Sequence, residues 1–119
     1  LGLNMIVQRG EIFLVNLELI KGSEQGKIRP ALIIQNDSSN QFSPTTIVAP
    51  ITSKIYSKEF PTNVQIFCGE GGLEENSTIL LNQIRTIDKV RIIKKLKKVS
   101  LETMNKVDLG IKVSLGLDF

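Results

Sequence analysis

E-I-F-L-V-N-L-E-L-I-K-G-S-E-Q-G-K-I-R-P-A-L-I-I-Q, residues 11–35, contains two runs rich in strand-forming side chains, Glu11–Leu17 and Arg29–Gln35. Between them, Lys21–Lys27 holds two glycines among polar residues and reads as a loop. Pro30 pushes Arg29 towards extended backbone and so marks the start of the second run. No helix-length segment separates the two strands, and the same holds further along. Asn36-Asp37-Ser38 reads as a turn, Thr46–Thr52 as a third strand, and Asn63–Phe67 as a short alternating fourth. Ser77–Ile87, after the Gly71-Gly72 turn region, reads as a longer fifth. Five strands before residue 90, starting about 14 to 18 residues apart, predict a small curled antiparallel sheet or barrel rather than a parallel α/β fold.

Beyond Ile87 the pattern changes. Asp88–Lys95 is compatible with either a helical turn or a loop, followed by a brief strand near Leu96–Val99. From Ser100, an N-cap residue type, the apolar positions Leu101, Met104, Val107, Ile111 and Leu115 recur at helical spacing and predict a C-terminal helix packed on the sheet. Gly110 inside it costs about 1 kcal/mol relative to alanine, so the helix is locally weak there or is closely approached by another segment.

A chain of 119 residues, 41% hydrophobic and 23% charged, is the size and composition of one globular domain. Leu1–Asn4 precede Met5 without a pattern and read as an upstream extension or an expression scar, which leaves residues 5–119 as the single domain. No apolar run approaches the roughly 20 residues of a membrane span, and the expected location is cytoplasmic. The lone Cys68 can form neither an internal disulfide nor a metal cluster by itself. With no histidine in the chain, any catalysis is histidine-free, and no metal or other cofactor is expected. A net charge of +3 favours an anionic partner. The densest cationic run, Arg91, Lys94, Lys95, Lys97 and Lys98, reads as a solvated face, since five cations over eight positions cannot all point one way.

The loop containing Ser23, Glu24 and Gln25 leads into Arg29, and that mix of hydroxyl, carboxylate, amide and guanidinium suits a polyanionic ligand. Arginine offers a fixed fork of donors matched to phosphate and stays charged at any relevant pH. Thr52, at the end of the third strand, adds a hydroxyl. From spacing alone, a surface ion pair between Arg29 and Glu24 and an ordinary strand role for Thr52 are the preferred readings, since such residues are common.

Six segments taken in order narrow the reading. R-G-E-I-F (9–13), G-S-E-Q-G-K-I-R-P (22–30), I-I-Q-N-D (33–37), F-S-P-T (42–45), P-I-T (50–52) and I-L-L-N-Q-I-R-T-I-D-K (79–89) closely resemble the MazF/PemK-like toxin family. The resemblance runs from Met5 nearly to the C-terminus. It implies a small SH3-like antiparallel β-barrel, shared with the CcdB toxins, carrying a C-terminal helix and assembling as a homodimer. It also implies a sequence-specific, metal-independent endoribonuclease that cleaves single-stranded messenger RNA as the toxin of a toxin–antitoxin pair, with a cognate antitoxin as partner. By motif matching, the catalytic arginine falls on Arg29, the catalytic threonine on Thr52, and the loop glutamate on Glu24. The resemblance assigns Asn36 and Gln83 to base reading, and Ser23, Gln25 and Lys54 to phosphate or base contacts. Phe60, at the end of a long loop, offers a stacking face for a single-stranded base or, alternatively, a loop anchor. Asn82 stands where the family is often acidic, and C-G-E-G-G (68–72) replaces a more basic, less glycine-rich loop, so the resemblance does not carry over the recognised RNA word. Two other readings on the same barrel are a CcdB-like poison of DNA gyrase, against which the G-S-E-Q-G…R-P loop argues, and an RNA-binding barrel that does not cleave.

Overall fold

In the computed structural model, which describes residues 5–17 and 28–117, the apolar runs become strands whose two faces are both buried. The strands are β1 (Glu11–Asn16), β2 (Ile28–Ile33), β3 (Thr45–Thr52), β4 (Asn63–Ile66), β5 (Ser77–Leu80), β6 (Arg85–Asp88) and β7 (Ile92–Lys98). A short helix α1 (Asp37–Phe42) follows β2, and α2 (Leu101–Leu115) ends the chain. All pairings are antiparallel, in the order β4-β5-β3-β2-β1-β7, with β6 also on β3. The result is the expected mainly-β, barrel-like sheet with a C-terminal helix, left unclosed between β4 and β7. Two register shifts in the β1–β7 pairing, between Glu11 and Phe13 and between Leu14 and Val15, help bend it.

Because successive strand residues point to opposite faces, neighbours in sequence enter different cores. Ile12, Leu32, Ala49, Ile51, Ile66, Ile79 and Leu81 pack with Met104 and Val107 of α2. Phe13, Val15, Ala31, Ile33, Val48, Ile87 and Ile92 form the second cluster. Each fully buried Ile, Leu or Phe stabilises the fold by about 1.5–3 kcal/mol. Double-sided burial is why β1 to β3 read as continuous apolar runs rather than alternating ones.

β3 is the organising strand. One edge pairs with β2, through Ala31↔Pro50 and Ile33↔Val48. The other pairs first with β6, through Thr46↔Ile87 and Val48↔Arg85, and then with β5, through Thr52↔Thr78. Pro50, which has no N–H to donate, sits where this edge passes from β6 to β5. The single expected strand Ser77–Ile87 is therefore two strands, with a turn at residues 81–84 in which the Gln83 N–H donates to the Leu80 carbonyl at 3.3 Å. Six strands, not five, precede residue 90.

Asn36-Asp37-Ser38 opens α1 rather than forming a simple turn, because the Asn36 side chain accepts from the Ser39 N–H and caps the helix. The helix is held to β3 by a buried polar network: Asn40 bonds Gln35 and Thr46, and the Lys89 ammonium donates to the Asn40 carbonyl at 2.5 Å. Lys89–Arg91 is one 3-10 turn, after which β7 starts at Ile92, four residues before the expected brief strand. The β7 lysines do divide between faces: Lys94 borders a hollow beside Ile28, while Lys95 pairs with the buried Glu11 at 2.8 Å.

Helix α2 starts where expected, with Ser100 accepting from the Thr103 N–H. Its buried face is Thr103, Met104, Val107 and Gly110, with Ile111 packed alongside; Leu101 and Leu115 are 78% and 54% exposed. The apolar stripe thus overhangs the sheet at both ends. Contact is closest at Gly110, where an added Cβ would lie 2.5 Å from the Pro61 carbonyl oxygen. The start of α2 is also tied to a 3-10 turn at Glu70–Gly72: the Glu70 carboxylate accepts from the Ser100 N–H and from the hydroxyls of Ser100 and Thr103.

Candidate active site

Arg29, the second residue of β2, is exposed and lies opposite Val15 of β1. Continuing the Ala31↔Pro50 register by two residues places it opposite Thr52, the last residue of β3. The two candidate residues, 23 apart in sequence, thereby lie at the same end of the β2–β3 pairing, two residues past its last pair on each strand. The Thr52 hydroxyl oxygen accepts from the Lys54 N–H at 3.2 Å, which leaves its own O–H free to donate.

Both side chains line a groove of about 350 Å³ whose other polar walls are Tyr56, Gln83 and Arg85, over Pro50 and Leu80. Arg85 enters from β6 because it is paired with Val48, two residues along β3 from Pro50. Its guanidinium donates to the Leu17 carbonyl at 3.3 Å. Burial, and next the charge of Arg91, hold its pKa below the ordinary arginine value, yet the group remains a cation at any working pH. Lys54 follows Thr52 by two residues, and its ammonium lies 4.9 Å from the centre of the Tyr56 ring. Among the described residues the groove is thus walled by two guanidiniums, an amide, a hydroxyl and a phenol, with no carboxylate. Arg29 also borders a larger hollow of about 470 Å³ on its other side, but Glu74 and Glu75 line that one. A phosphodiester chain fits the first groove better, since carboxylates repel it in the second. Among the described residues no three His, Cys, Asp or Glu side chains gather in a way that could hold a metal ion.

The structure brings Arg29, Thr52 and Gln83 to one groove, with Lys54 at its rim. Glu24, Ser23 and Gln25 lie outside the described residues. Asn36 sits three residues beyond the other end of β2, as the cap of α1, and does not line the groove. Phe60 is 52% exposed and lines a separate hollow with Pro61, Lys106 and Leu109 of α2. Tyr56 and Arg85 went unnoticed in the sequence. For Arg85 the available signal was its two-residue spacing from Gln83; for Tyr56, it was being the single tyrosine of the chain, four residues after Thr52.

Comparison with known proteins gives this geometry its context. The chain is 50% identical over 113 residues, covering 95% of it and 97% of its relative, to Endoribonuclease EndoA of Bacillus subtilis (strain 168). Its fold is similar to the crystal structure of MazF from Deinococcus radiodurans, with a TM-score of 0.77 at 23% identity over 95% of this chain and 99% of that one. It is also similar to an endoribonuclease in complex with its cognate antitoxin from a mycobacterial species, with a TM-score of 0.74 at 22% identity over 95% and 96% of the two chains. A family profile described as the PemK-like, MazF-like toxin of type II toxin–antitoxin systems matches residues 8–115, so the chain, with its barrel-like sheet and C-terminal helix, belongs to that toxin family.

Proposed function

We propose that this protein is a metal-independent endoribonuclease toxin that cuts single-stranded messenger RNA at a preferred short word, using the Arg29–Thr52 groove. The observation that carries the reading is the convergence of Arg29, Thr52, Gln83 and Arg85 on one groove. The family membership and the 50% identity to an endoribonuclease support it.

RNA carries its own nucleophile. The 2′-oxygen attacks the adjacent phosphorus and loses its proton, the P–O5′ bond breaks, and the departing 5′-oxygen takes up a proton. The products are a 2′,3′-cyclic phosphate and a 5′-hydroxyl end. The protein has to hold the 2′-oxygen in line and stabilise charge on the phosphorane. Arg29 and the free Thr52 O–H are the charge stabilisers, with Arg29 donating towards the leaving oxygen. A guanidinium is a proton donor and a poor base, so Glu24 is nominated to take the 2′-proton. Gln83, with an amide that both donates and accepts, reads a base edge, and Lys54 meets the phosphate backbone. Ser23 and Gln25 complete the contacts. The working form is a cytoplasmic homodimer that is silenced by a cognate antitoxin, an acidic segment ordering across the RNA groove.

The test is to incubate purified protein in EDTA with a long, poorly structured RNA and map the ends. Recurrent cuts at one word with 5′-hydroxyl ends are expected. Arg29→Ala and Thr52→Ala should each lower the rate by about 10²–10³-fold while leaving the circular dichroism unchanged. Intact RNA with the wild type, or full activity in either variant, would overturn the proposal.

A further inference from the structure

We infer that Tyr56 is the base-stacking platform of this site and hence a specificity-determining residue; the inference rests on the RNA-cleaving reading of the Arg29–Thr52 groove. Tyr56 is half-buried and borders two openings at once, the groove shared with Arg29, Thr52 and Gln83 and a small hollow beyond it lined by Lys58, Gln65 and Thr78. Among the described residues it is the aromatic side chain lining the groove, whereas Phe60 faces the α2 side.

The backbone two residues before the ring is anchored to the strands that carry Thr52 and Thr78. The Lys54 N–H donates to the Thr52 hydroxyl at 3.2 Å, and the Thr78 hydroxyl donates to the Lys54 carbonyl at 2.8 Å. Lys54 is therefore pinned at both backbone polar groups, to β3 and to β5, and one residue separates it from Tyr56. A platform anchored this closely to Thr52 suits a nucleotide next to the cleaved phosphate.

The ring already carries a cation, the Lys54 ammonium at 4.9 Å. An exposed contact of this kind is weaker than stacking of a base on an aromatic face. An incoming base can therefore take the ring and release the ammonium to the phosphate beside it. Stacking sets the plane of the base, against which the Gln83 amide reads an edge. Without the platform, the base is held less tightly and read less selectively.

The chain has one tyrosine and no tryptophan, so its ultraviolet emission reports Tyr56 directly. The experiment uses an oligonucleotide of the word cut by the wild type, with a 2′-deoxy sugar at the cleaved position and an end label whose anisotropy reports binding. Tyrosine emission should be quenched in step with binding. With the cleavable oligonucleotide, Tyr56→Ala should raise KM about tenfold with a smaller change in kcat, and should widen the set of words cut. Tyr56→Phe, which keeps the aromatic face, should restore the wild-type KM and word preference. Unchanged tyrosine emission at saturation, or a folded Tyr56→Ala with wild-type KM and word preference, overturns the inference while leaving the nuclease reading intact. If Tyr56→Ala does not fold, the wild-type quenching decides. A wild type that cuts no RNA overturns both.

Discussion

Gly110→Ala tests the packing of α2 on the sheet, because helix propensity and tertiary contact predict opposite signs. In an exposed helix interior, alanine is more stable than glycine by about 1 kcal/mol. Here the new methyl would stand 2.5 Å from the Pro61 carbonyl oxygen and closer still to a methyl of the fully buried Leu81. Neither neighbour yields easily. The turn around Pro61 is fixed by the Asn63 N–H donating to the Phe60 carbonyl at 2.9 Å and the Leu81 N–H donating to the Thr62 carbonyl at 2.8 Å. Overpacking of this kind costs about 1–3 kcal/mol, and a backbone obstacle puts it at the upper end. Subtracting the propensity gain leaves a net loss of about 2 kcal/mol. For a domain of this size that is a fall of about 8 °C in Tm. Urea unfolding followed by circular dichroism measures it, with the m-value expected to stay constant. Asn105→Ala, on the exposed face of the same helix, is the control and should be neutral or slightly stabilising. A Gly110→Ala protein as stable as the wild type, or more stable, would refute the close approach of Pro61 and Leu81 to α2.

Two further outcomes follow from particular side chains. Burial alone would raise the pKa of Glu70, but hydrogen bonds from Thr103 and Ser100, helped by Lys106, outweigh it and hold the carboxyl below its ordinary value. A depressed pKa means stabilisation present above the unfolded value of about 4.3 and lost as pH falls through the folded value. Glu70→Gln should therefore cost about 1 kcal/mol at pH 7 and show a flatter loss of stability than the wild type on acidification below about pH 5; parallel curves would count against it. Asn36→Ala removes the cap on α1 and should cost about 1 kcal/mol while leaving the cleaved word unchanged, as read by end mapping; an altered word at unchanged stability would return Asn36 to base reading.

The strands β1, β2 and β3 were legible because their apolar runs are bounded by Gly, Pro and Asn, and the start of α2 because Ser100 precedes a helical period. What the sequence hid was decided by pairing. I-L-L-N-Q-I-R-T-I is continuous in strand propensity, and its break at residues 81–84 exists because β3 gives one edge to two partners. Leu101 and Leu115 fit the helical stripe but overhang the sheet. At the site, residue type alone makes Arg29 and Thr52 candidates and the family resemblance gives them roles, but a separation of 23 residues says nothing about their meeting; the fold brings both to one groove. Tyr56 and Phe60 stand four residues apart in one loop, yet Tyr56 lines the groove with Arg29 and Thr52 while Phe60 lines a hollow against α2.

The divided edge of β3 also sets a timetable for synthesis. A ribosome releases β2 and β3 early, yet the wall carrying Gln83 and Arg85 exists only once β6 has emerged and found the edge of β3 that β5 leaves vacant. Local contacts cannot substitute for that wall, because Arg29 and Thr52, which it faces across the groove, are distant in the chain. A partly made polypeptide therefore carries Arg29 and Thr52 without the groove between them. The groove is thus among the last features of the domain to be completed as the chain is made.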